Sequence, residues 1–126
     1  MPPARRFSKA VLGRLDEGKM LGVRAGLAPH RFLGVWMVVV GGRLFVRSWN
    51  DKPNGWHRAF QRDARGVIQI GDRELRVRAR RPRGERLMAA IDRAYATKYP
   101  TPWSRKFVRG LARPRRRRTT TEFIPR

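Results

Sequence analysis

The chain contains no cysteine. Disulfides, thiolate catalysis and cysteine-ligated metal are therefore excluded. Histidine is almost as scarce, with only His30 and His57, too few for a histidine-rich centre, so no metal is expected. Long hydrophobic runs are missing too. The longest, Val35 to Val40, is far too short to cross a bilayer. The opening MPPARRFSKAVLGRL has no continuous apolar stretch of the secretory kind, so a cytoplasmic protein without a membrane span is expected. Acidic residues number nine against 31 basic ones, leaving a net charge of +22. A field of that size attracts polyanions and opposes compaction by self-repulsion. Non-specific nucleic-acid binding at low salt follows from charge alone.

What is present is arginine, 26 against five lysines, spread along nearly the whole chain, with enough apolar residues for one modest core. The length, 126 residues, bounds the chain to one domain. Phe7, Val11 and Leu15 recur at helical spacing and predict a helix over 4–16 that ends near Gly18, in an N-terminal extension of residues 1–19. A first strand over 20–24 is a weaker expectation. The stretch FLGVWMVVVGGRLFVRS reads as a hairpin turning at Gly41-Gly42, which pairs Val40 with Arg43, Val38 with Phe45 and Trp36 with Arg47. One face then carries Val35, Met37, Val39, Leu44 and Val46, all core. The other carries Trp36, Val38, Val40 and Phe45 beside Arg43 and Arg47, too apolar to face water, and needs a cover: a helix, a partner subunit or a flat ligand.

A second hairpin turns at Gly71-Asp72, with Leu75, Val77 and Ala79 alternating against Arg76, Arg78 and Arg80. Its register stays open. A helix starts near Glu85 and carries the stripe Leu87, Met88, Ile91, Ala94, Tyr95 and Tyr99, until Pro100 and Pro102 end it. Residues 103–112 predict a short helical turn, 113–118 a basic loop, and 119–124 a last strand. The fold class is mainly β with peripheral helices, an α+β arrangement in which a small barrel or sheet is the natural core.

In order, W-x-V-V-V at Trp36, R-L-F-V-R-S at Arg43, G-W-H-R-A at Gly55, G-x-I-x-I-G at Gly66, I-D-x-A-Y-x-x-K-Y at Ile91 and a terminal T-T-x-x-x-P at Thr120 form a specific set. The set, covering residues 20–126, resembles an uncharacterised bacterial family akin to the split β-barrels of the pyridoxamine-phosphate-oxidase-like and deazaflavin-dependent nitroreductase-like superfamily. The resemblance implies an FMN-binding-like split barrel, a homodimer, and a cofactor site for FMN or a deazaflavin. It implies no particular reaction. In flavin-binding relatives, basic and hydroxyl residues at such strand ends hold the cofactor phosphate, and Arg47 and Ser48 occupy that place here.

Arginine grips phosphate bidentately, and a neighbouring hydroxyl adds a donor. The hairpin register sets Trp36 across from Arg47, so a ring could lie on the indole with its anionic tail at the guanidinium. The same two residues could equally form a cation–π pair holding a sheet edge, worth about 0.5–1 kcal/mol when exposed. Trp49 and Trp56 cap the barrel core or wall the cofactor pocket. His57 has no carboxylate at obvious spacing, Asp51 and Asp63 being only candidates, and reads as structural. Asp92, Tyr95, Lys98 and Tyr99 read as packing with satisfied polar tips. Arg115, Arg116, Arg117 and Arg118 form a phosphate-seeking run, but no nucleic-acid motif accompanies it. Three functions compete: a flavin- or deazaflavin-binding oxidoreductase, a basic nucleic-acid-binding module, and a non-catalytic interaction protein with a vestigial site.

Overall fold

A computed structural model describes residues 6–28 and 30–126. Ser8 accepts the amide of Val11 through its side chain and so caps α1, Lys9–Glu17. The expected helix forms but starts later, at Lys9 where Ser8 caps it; residues 6–8 lead into it without helix, and residues 4 and 5 lie outside the described residues. It is not a loose extension. Phe7, Val11 and Leu15 all sit in the main core cluster, with Leu15 fully buried.

Seven strands follow: β1 (Leu21–Ala25), β2 (Leu33–Val35), β3 (Met37–Val40), β4 (Arg43–Val46), β5 (Arg65–Ile70), β6 (Arg73–Arg80) and β7 (Thr121–Pro125). They form one antiparallel sheet in the order β2-β1-β5-β6-β7-β4-β3. Its two outermost strands, β2 and β3, are consecutive in the chain and separated only by Trp36. The sheet therefore curls almost shut on itself, and Trp36 marks the seam of the nearly closed barrel.

Both hairpins form. Gly41 and Gly42 both take positive φ, 58° and 74°, as a type I′ turn requires, and the pairing Val40–Arg43 and Val38–Phe45 is as expected. The second hairpin, open in sequence, pairs Ile70 with Arg73 and Ile68 with Leu75. Gly66 allows the closest approach: a β-carbon there would lie 2.4 Å from the Phe60 ring and 2.5 Å from the carbonyl of Arg24.

Four helices complete the chain: α2 (Trp56–Arg62), α3 (Glu85–Lys98), α4 (Pro102–Leu111) and α5 (Pro114–Arg117). The barrel interior is an aliphatic core around Leu15, Leu21, Met37, Leu44, Ile68 and Val77, closed at one side by Phe60 of α2 and Phe123. The second face of the β3–β4 hairpin is covered by helix: Val38 and Phe45 pack with Ile91 and Tyr95 of α3, with Tyr99 just after it, and with Val108 and Leu111 of α4. Of the covers that the sequence allowed, a helix fills the place. Two expectations need correction. The helical turn at 103–112 is a full helix, since Thr101 caps Ser104 and Pro102 occupies its first turn. The basic loop at 113–118 is partly helical, with Pro114 starting a single turn.

Candidate functional site

All four tryptophans of the chain line one cleft of about 500 Å³. Trp36 at the barrel seam, Trp49 after β4, Trp56 at the start of α2 and Trp103 on α4 meet there with Phe107. The rings touch edge to face: Trp36 and Phe107 at 6.2 Å, Trp49 and Phe107 at 5.4 Å, with Trp103 tilted on Phe107 at 4.9 Å. Among the described residues the large exposed apolar side chains are Met20, Leu27, Leu33, Trp49 and Trp103, and all but Leu27 line this cleft. Trp103 is 65% exposed. Contiguous exposed apolar surface of this sort marks a binding site.

The floor is rigid. Trp36 stacks on Tyr99 with ring centres 4.4 Å apart and planes 5° from parallel. The Tyr99 hydroxyl accepts from the Met37 amide at 3.1 Å and has the carbonyls of Met37 and Lys19 within 3.0 Å as acceptors. Tyr95 donates to the Trp36 carbonyl at 2.9 Å and accepts from the Arg47 amide at 3.1 Å. Burial pushes the Tyr99 phenol up to about 12, against the lowering influence of the Met37 amide, and pushes Tyr95 up as well. Both stay neutral and act as posts that fix the backbone at Trp36, between β2 and β3.

Arg47 and Ser48 line the cleft, but their donors turn away from it. The Arg47 side chain is fully buried. It donates to Asp92 at 2.5 Å, to Thr120 Oγ1 at 2.8 Å and to the Leu111 carbonyl at 3.1 Å. The Ser48 hydroxyl donates to the Asn50 carbonyl, and the Ser48 amide to Thr119 Oγ1 at 2.8 Å. The phosphate grip expected of this pair is thus redirected into the protein, because a guanidinium shut off from water needs a counter-ion and Asp92 of α3 supplies it. The expected Trp36–Arg47 pair gives way likewise, to Trp36 on Tyr99 and Arg47 on Asp92. Lys52 and Asn50 are the polar side chains at the cleft mouth.

Trp49 joins the wall rather than a cap. Its ring edge packs on Gly110 of α4, where an added β-carbon would meet it at 2.5 Å, and the Arg116 guanidinium lies over it at 3.6 Å. Trp56 serves both the cleft and the core, touching Phe60 edge to face at 6.3 Å. His57, buried beside it, does have an orienting carboxylate: Asp51 Oδ1 lies 3.1 Å from Nδ1. Arg58 hydrogen-bonds the same carboxylate, and with His57 it holds Asp51 down at about 2. Of the two candidate carboxylates, Asp51 and Asp63, it is Asp51 that loop closure over Pro53-Asn54-Gly55 brings to His57.

The run Arg115–Arg118 is not one patch. Arg116 stacks on Trp49 and donates to its carbonyl at 2.9 Å, while Arg117 is gripped by Asp92 and, at 2.9 Å, by Glu85. Only Arg115 and Arg118 face solvent. Asp92 therefore bridges Arg47 and Arg117, tying α3 to β4 and α5. Sequence reasoning missed Met20, Leu33, Trp103 and Phe107. The spacing of Trp103, Phe107 and Leu111, each four apart behind Thr101-Pro102, is the helical signal that could have found two of them. No group of three or more metal-ligating side chains occurs among the described residues, nor does any helix among them have the length and apolarity to cross a membrane.

Barrel and site together define the class: a nearly closed antiparallel β-barrel with a helical cover and an aromatic cleft at its seam. The chain belongs to a bacterial family described as "Uncharacterized protein conserved in bacteria (DUF2255)", whose model matches residues 11–123. The fold is similar to the crystal structure of the conserved hypothetical protein Rv2991 from Mycobacterium tuberculosis. That likeness has a TM-score of 0.60 at 13% identity and spans 98% of this chain and 82% of the other. No curated protein matches the sequence.

Proposed function

We propose that the tryptophan cleft binds a flat ring cofactor of the flavin or deazaflavin class and that the protein serves as an oxidoreductase built around it. The observation that carries this reading is the gathering of all four tryptophans, from four separate segments, on one cavity. The fit is chemical as well as spatial. About 500 Å³ lies within the range of small-molecule sites, and apolar walls with few polar groups are their usual lining. Such a cofactor supplies the hydride chemistry itself. The chain's own part is to bind and orient the ring between indoles, to exclude water with Phe107 and Leu33, and to meet an anionic tail with Lys52 at the mouth. Arg47 is a positioning residue, holding the strand end through Asp92. The resemblance to split barrels and the exposed rim of Met20, Leu33 and Trp103 support a homodimer in which a second copy completes the wall.

Fluorescence titration tests this directly, because every tryptophan of the chain reports on the cleft. Saturable quenching by FMN or a deazaflavin is expected, weakened about 5- to 150-fold by Trp103→Ala, the loss of one stacking wall being worth about 1–3 kcal/mol. Absence of saturable quenching by both would refute the proposal.

A further inference from the structure

Among the described residues, arginine side chains engage seven of the nine carboxylates, and most of the described arginines make no ion pair there. Three such residues converge. Arg81 and Arg83, just beyond β6, and Arg118, after α5, are exposed, make no side-chain hydrogen bond or ion pair among the described residues, and line one hollow of about 440 Å³. A second hollow of about 250 Å³ shares Arg81 and Thr120 with it and adds His57, Gln61 and Arg80. Among the described residues, none lines both this groove and the aromatic cleft.

The chemistry of the lining is specific. Asp51 holds His57 at Nδ1, so Nε2 is the ring nitrogen without a protein partner among the described residues. Arg117, on the groove wall, is paired with Glu85 and Asp92, and Arg80 shares Glu122 with Arg43, which leaves Arg81, Arg83 and Arg118 as the lining arginines without a carboxylate partner among the described residues. Gly84 begins α3 beside the same hollow without a side-chain cap, adding first-turn amides to the positive field. Each guanidinium fork matches two oxygens of a phosphate. Three forks on one hollow exceed what the two oxygens of a carboxylate can use.

We infer that this groove is a phosphate site, separate from the aromatic cleft, that takes the terminal phosphate or diphosphate of a small ligand. A nucleic-acid backbone calls for a row of cations along an open track. The groove is instead a pair of hollows, and the chain's open row, Arg76 and Arg78, lies on the outer face of the barrel strand β6.

The test is calorimetric titration of the full chain with inorganic pyrophosphate at about 0.15 M salt, where distant charges are screened. One saturable site is expected, weakened about tenfold or more in R81A/R118A through loss of charge-assisted bonds. The matched variant R76A/R78A, which removes the same two charges elsewhere, should keep the affinity of the parent. All four positions are exposed, so the fold survives each change. His57→Gln should weaken binding to a lesser degree. Trp103→Ala should not alter it, and that separates this site from the cleft: either can fail alone. Lack of saturation, or equal losses in the two double variants, would reduce the groove to a share of the bulk field. A single-stranded oligonucleotide that competes with pyrophosphate and binds more tightly through Arg81 would overturn the small-ligand assignment.

Discussion

On the inner face of the β3–β4 hairpin, Met37, Leu44 and Val46 are wholly buried among aliphatic neighbours from α1, β1, β5 and β6. On the outer face, Val38 and Phe45 lie under α3 and α4 with tyrosines that carry hydroxyl tips, and the layer ends in an open cleft rimmed by exposed tryptophan and leucine. The first layer is apolar and closed. The second is held by directional polar contacts and leaves apolar surface uncovered. Trp103 and Leu33 stay exposed on the rim of that cleft.

Predictions that break this contrast rank by size. Asp92→Ala leaves the fully buried Arg47 guanidinium without its counter-ion and should lower stability by about 3–5 kcal/mol in urea unfolding. In the inner layer, Leu15→Ala opens a cavity in the barrel core and should lower it by about 2–5 kcal/mol. Tyr95→Phe removes the donor to the Trp36 carbonyl and should lower it by about 1–3 kcal/mol while loosening the cleft floor.

Acid should act through Glu122 next. Burial alone would raise its pKa, but hydrogen bonds from Arg43 and Arg80 at 2.8 Å together outweigh that and hold it below the ordinary 4.5. A carboxyl lowered in the folded state stabilises above its unfolded value, and that contribution disappears as pH falls through the folded one. Stability should therefore decline below about pH 4.5, and Glu122→Gln should flatten the decline in a series of denaturant melts. Trp103→Ala closes the ranking: stability within about 0.5 kcal/mol of the parent, as for an exposed side chain, but impaired ligand binding.

Much of the inner layer was legible in the sequence. Period-two alternation and Gly41-Gly42 specify the hairpin, its register and its aliphatic face, because these are local rules. The arginine alternation in β6 likewise gives its inner residues. The cleft was legible only in part. Trp36, Trp49 and Trp56 are locatable as aromatic, but their meeting with Trp103 depends on how α4 folds back after Pro100 and Pro102. The fate of Arg47 depends on Asp92, 45 residues later. Long-range electrostatics of that kind leaves no periodic trace. Charge counting misleads at Arg115–Arg118 for the same reason, since two of the four side chains are spent on Trp49, Glu85 and Asp92.

The most direct measurement follows the indole N–H resonances of the four tryptophans by heteronuclear NMR during addition of FMN or a deazaflavin. The expected result is that the signals of Trp36, Trp49, Trp56 and Trp103 shift together and saturate at one ligand equivalent, with backbone signals of the barrel interior unmoved. Four static indole signals, or shifts confined to the arginine-rich surface, would contradict it.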